Sequence, residues 1–115
     1  MKRNDRVYLT HILEAIRKID KYTKGLDYAA FLTDDLVQDG VIRQLEIIGE
    51  ASKKLSAATR TLAPDLPWKD IAGMRDVLIH QYFGVDLTAV WDTVQQDLPT
   101  FKDKILYVIN SLPSA

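Results

Sequence analysis

Apolar residues recur every three or four positions along almost the whole of this chain. Nowhere do they alternate with period two for long enough to make a strand. A chain patterned this way can bury its apolar atoms only by packing helix stripes against one another. The expected fold is therefore all-α, a bundle of four or five helices with short connections, in one domain spanning residues 1–115.

Local signals divide the pattern into elements. Asp5 suits the N-cap of a first helix, and Tyr8, Ile12, Ala15, Ile16 and Ile19 form its stripe. Gly25 marks its end, and residues 28–33 form a connector with room for one helical turn. Asp34 and Asp35 favour the positive end of a second helix. Its stripe runs through Val37, Val41, Leu45, Ile48, Ala51, Leu55, Ala58 and Leu62 until Pro64 and Pro67 stop it. Gly40 and Gly49 weaken that helix or admit a close neighbour. At roughly 28 residues it would be on the order of 42 Å long, more than a small bundle covers, so its near-heptad seam points to a homodimer.

A third helix can start at Pro67, which is tolerated in a first turn, and carries Trp68, Ile71, Met74, Leu78 and Ile79 before Gly84. Asp86 caps a fourth, with Leu87, Val90, Trp91 and Val94. Leu98-Pro99 interrupts the pattern, and a last helix carries Phe101, Ile105, Val108, Ile109 and Leu112.

Composition narrows the chemistry. Cysteine is absent, which excludes disulfides, thiolate metal sites and cysteine nucleophiles. The charged N-terminus precedes no long apolar run, and no stretch reaches the roughly 18 apolar residues of a membrane span, so a soluble cytoplasmic protein is expected. A formal charge of −1 argues against coating nucleic acid by bulk charge, although not against gripping RNA at one local site. There is no Gly-rich phosphate loop and no nucleophile elbow. The two histidines, His11 and His80, have no metal-ligand spacing, so neither metal nor cofactor is expected.

The third helix holds the remaining chemistry. Asp76 and His80 are four apart, so a carboxylate can orient an imidazole. Arg75 and Tyr82 are seven apart and share a face. Arg75 and His80 are five apart, which turns them about 140° from each other, so two helices related by a two-fold axis would focus them better than one. RNA carries its own nucleophile, the 2′-hydroxyl. It needs a base, an acid and a cation for the charged transition state, roles that histidine and arginine fill without a metal. Spacing alone equally permits His80 as a cap or core residue, Arg75 as an ion-pair residue and Tyr82 as a packing aromatic. Glu46 and Glu50 read as a salt-bridged face and His11 as structural.

The run from Trp68 through Arg75-Asp76-Val77-Leu78-Ile79-His80-Gln81-Tyr82-Phe83 resembles the signature of HepT-like ribonucleases of the HEPN superfamily, Arg-x4-His-x-Tyr. Leu45-Glu46-Ile47-Ile48-Gly49-Glu50-Ala51 is similar to the family's long second helix. Val85-Asp86-Leu87, Val90-Trp91 and Asp97-Leu98-Pro99 resemble its C-terminal part. The resemblance implies a helical homodimer with a metal-independent RNA-cleaving cleft between protomers. It implies Arg75 and His80 as catalytic, Asp76 as their support where many members carry Asn, and Tyr82 as an AMP acceptor. The implied partner is an MntA-type nucleotidyltransferase antitoxin that silences the toxin by that AMP transfer. The alternative is an inactive helical module that merely complements such a partner.

Overall fold

The computed structural model describes residues 3–80 and 84–113, with the backbone alone at 3–4 and 75–80. The described residues are helical and contain no strand, as the spacing predicts. In order they form α1 (Arg3–Thr23), α2 (Tyr28–Leu32), α3 (Asp35–Lys53), α4 (Ala57–Arg60), α5 (Trp68–His80) and α6 (Leu87–Asp92), then a π-helical turn (Thr93–Asp97) and α7 (Leu98–Ser111). No helix among them is long and apolar enough to cross a membrane.

α3 is the central element, packed between α1 and α5, while α7 lies against α1. Ile12, Ile16 and Ile19 of α1 meet Val41, Leu45 and Ile48 of α3, with Ile105 and Val108 of α7, and all are essentially withdrawn from solvent. Each such side chain contributes roughly 1.5–3 kcal/mol on burial, which makes this seam the main source of stability. Gly40 allows α1 and α3 to approach closely, because a Cβ there would lie 3.1 Å from the Tyr22 ring. Asp34 and Asp86 cap α3 and α6, accepting from the backbone N–H groups of Val37 (3.1 Å) and Ala89 (3.0 Å). The connector does contain its own turn, α2, whose Phe31 ring packs 5.1 Å from Trp91 of α6.

Two expectations need correction. The long second helix does not run on to Leu62. α3 has 19 residues, and α4 follows after a break. The cause is Asp5, which does not cap α1, because that helix already begins at Arg3. Asp5 is instead buried. Its Oδ1 accepts from the backbone N–H of Ser56 (3.1 Å), and its Oδ2 accepts from the hydroxyls of Ser56 (2.6 Å) and Thr59 (2.6 Å). Held this way, Ser56 is extended (φ −68°, ψ 157°) and caps α4, its Oγ accepting from the Thr59 N–H. A buried carboxylate is costly unless several donors satisfy it, and satisfying this one takes the chain out of α3. With the helix shortened, the length argument for a dimer falls away.

Leu98-Pro99 also behaves differently from expectation. The chain stays helical across it by widening. The N–H of Leu98 reaches back five residues to the carbonyl of Thr93. A proline ring clashes with the carbonyl four residues earlier and offers no N–H, so the wider turn places Pro99 in the first turn of α7 at little cost.

Candidate active site on the fifth helix

The site helix is fixed at its first turn. Pro67 stands just before α5, and its carbonyl accepts from the Ile71 N–H at 3.0 Å. Trp68 is buried, its ring set edge-on to Phe101 of α7 with 6.2 Å between centroids. The indole N–H donates to the carbonyls of Arg60 (3.1 Å) and Ala63 (2.9 Å). Ile71 and Met74 continue the inward stripe, half-buried against the core.

Arg75, Asp76 and His80 all fall within α5, so the expected helix does carry the motif. Their side chains lie outside the described residues, as does Tyr82 altogether. Backbone register still separates them. Position 75 lies seven residues after Trp68, close to the same line along the helix. Positions 69, 73, 76 and 80 fall on a different face, spaced four, three and four apart. That face is open at its middle, since a Cβ built on Gly73 meets nothing within 4 Å. Lys69 at its start is exposed.

On the flank between α5 and α7 lies a groove of about 530 Å³. Ile71, Met74 and Phe101 are among its apolar lining residues, and Asp65, Asp70, Asp97 and Lys104 are its charged ones. Lys104 bonds Asp65 at 2.8 Å, which holds that carboxyl below the usual carboxylate range. The other two carboxylates leave the groove acidic, a poor path for a phosphate backbone.

A second cleft, of about 310 Å³, lies between α1 and α3. His11, expected to be structural, is exposed at its lip, edge-on to Tyr8 at 6.3 Å. Glu46 and Glu50, also on this cleft, belong to a salt-bridged face as expected, with Arg43 3.7 Å from Glu46 and Lys54 4.0 Å from Glu50. Lys54 also lies 5.9 Å from the centre of the Tyr8 ring. Sequence spacing does not reveal this cleft, because it joins residues of two helices more than thirty positions apart.

Comparison with known proteins places the chain. The family described as Ribonuclease HepT-like matches residues 12–108, which takes in all of α5. The chain is 48% identical over 104 residues to a protein of Thermococcus cleftensis named "Probable ribonuclease HepT", covering 90% of this chain and 94% of that one. It is 46% identical over 112 residues to a Methanocaldococcus jannaschii protein named "Gamma-glutamylcyclotransferase and putative RNase", covering 97% of this chain but half of that longer one. A third relative, "Putative RNase" of Caldanaerobacter subterraneus, is 38% identical over 104 residues, 90% of this chain and 93% of its own. No solved structure matches. The all-helical bundle, the motif along α5 and the extent of these matches lead to one assignment: the chain belongs to the HepT-like ribonuclease family.

Proposed function

We propose that this chain is a metal-independent endoribonuclease, the toxin of a toxin–antitoxin pair, acting as a homodimer in the cytoplasm. The observation that carries this reading is the family match across residues 12–108, which contains the whole Arg75–His80 run on one helix. The 2′-hydroxyl of RNA attacks the adjacent phosphorus as a base removes its proton. The 5′-oxygen leaves with a proton from an acid. His80 serves in proton transfer, and Arg75 holds the phosphoryl oxygens as charge builds on them. Asp76, one turn before His80, orients the imidazole. Positions 75 and 80 lie about 140° apart on one helix, so a second copy of α5 across a two-fold axis supplies the missing convergence. Position 80 shares its face with Gly73, where the helix is open, and RNA approaches His80 on that side, with the second copy of α5 supplying Arg75.

Tyr82 is the switch in this reading. A nucleotidyltransferase of the MntA type transfers AMP from ATP to it. The phenol oxygen bonds the α-phosphorus, pyrophosphate leaves, and the phenol proton goes to a base of that enzyme. The product places bulk and negative charge beside the Arg75–His80 pocket and repels RNA.

The test is cleavage of a fluorogenic single-stranded RNA by purified protein in excess chelator. We expect cleavage by the unmodified chain and at least about a hundredfold loss in both Arg75→Ala and His80→Ala, with melting unchanged. Activity that survives both substitutions, or that needs added Mg²⁺, refutes the mechanism. Intact RNA at high protein, with a stable complex to a nucleotidyltransferase of the MntA type, would favour the non-enzymatic module instead.

A further inference from the structure

α5 lies on α3 largely through apolar side chains such as Ile71 and Met74, and apolar contact constrains distance better than rotation. Among the described side chains of α5, Trp68 at its start makes directional contacts. The Trp68 indole N–H donates to two carbonyls at once, those of Arg60 and Ala63. One acceptor would satisfy that donor. Using two fixes where the ring points and therefore how far α5 is turned about its own axis.

Those carbonyls are themselves held. Arg60 closes α4 and donates its guanidinium Nε (3.2 Å) and Nη2 (2.9 Å) to the carbonyl of Leu55. Ser56 and Thr59 anchor the other end of α4 to Asp5 of α1. Asp5 and Thr59 are 2% and 0% exposed, so the α1 end of this path excludes water, while Ser56 and Arg60 are half-buried. An unbroken line of short polar contacts thus runs from α1, through the single turn of α4, to the first residue of α5. An apolar replacement could fill the same space without the cost of burying a carboxylate. A network of this kind selects one arrangement over its near neighbours.

The leverage is large. Helix side chains end about 5–6 Å from the axis, so a turn of roughly 10° displaces them by about 1 Å. A displacement of that size can cost about a hundredfold in rate. We infer that Trp68 and Asp5 are positioning residues for RNA cleavage, setting the rotation of α5 and hence the aim of Arg75 and His80. The inference rests on the proposed reading of those two residues as catalytic.

Trp68→Phe removes the indole N–H and keeps an aromatic ring, and Asp5→Asn keeps the shape while replacing the carboxylate. Both are assayed on the fluorogenic RNA at least ten degrees below their own melting temperatures, as read by circular dichroism. We expect kcat to fall about tenfold or more in each, with KM within about twofold of the parent. Replacing Trp68 with its benzothiophene analogue, which has sulfur in place of N–H, should reproduce the Trp68→Phe loss. An unchanged kcat in the folded variants, or losses that only track the unfolded fraction, overturns the inference. Cleavage that needs His80 but ignores both substitutions removes this inference alone. Cleavage that survives His80→Ala removes the catalytic reading and this one with it.

Discussion

Gly73→Ala should make the protein more stable, and the reason is local. Gly73 lies in the interior of α5, where glycine costs about 1 kcal/mol relative to alanine because its backbone loses more freedom on folding. The added methyl meets no atom within 4 Å, so nothing offsets the gain. Gly40→Ala is the matched control. It sits inside α3 and offers the same propensity gain, but its methyl would press on two Tyr22 ring carbons at 3.1 Å. Crowding of that kind costs roughly 1–3 kcal/mol. We expect Gly73→Ala to raise Tm by about 4 °C and Gly40→Ala to lower it, in paired thermal melts at one protein concentration. A fall in Tm for Gly73→Ala, or equal shifts of the same sign, refutes the reasoning. The same variant also probes the open face. If RNA or a second copy of α5 comes close there, cleavage falls while stability rises, a combination that damage to the fold would not produce.

Two further substitutions test the fold. Among the described residues the Ser52 hydroxyl is fully buried without a hydrogen-bond partner, so Ser52→Ala should stabilise by about 1 kcal/mol in urea unfolding, and a loss of stability would refute this. Asp86→Ala removes the acceptor for the Ala89 N–H and should destabilise by about 1 kcal/mol, whereas no change in the urea midpoint would show that the cap contributes nothing.

Elements set by neighbours in sequence were legible from the sequence. The stripe of Ile12, Ala15, Ile16 and Ile19, the cap at Asp86 and the start of α5 after Pro67 all depend on residues within one or two turns. The break between α3 and α4 was not legible, because its cause is Asp5, 51 residues from Ser56. Ser56 is a suitable N-cap, but the apolar spacing continues through Ala58 as though the helix did, which hides that signal. At the candidate site, the helix could be read from spacing and the motif from its resemblance to the family signature. The double hold on Trp68 could not, since it depends on where the α4 carbonyls end up after that unforeseen break. In the proposed homodimer, convergence of Arg75 and His80 depends on a second chain, a geometry that one sequence does not contain.

The widened turn before α7 also governs phase. Val90, Val94 and Leu98 are all buried although successive members are four apart. On an ordinary helix those two steps of four would carry the third residue about 80° round from the first. The five-residue span from Thr93 to Asp97 absorbs that drift, so Phe101, Ile105 and Val108 begin on the same side as Val90. Removing a single residue there, such as exposed Gln95, would return the turn to ordinary α-helix and leave Leu98 seven steps from Val90, within about 20° of the same side. The core therefore accommodates the loss of one solvent-facing glutamine, whereas one further residue at this point would turn Phe101, Ile105 and Val108 about 100° toward water.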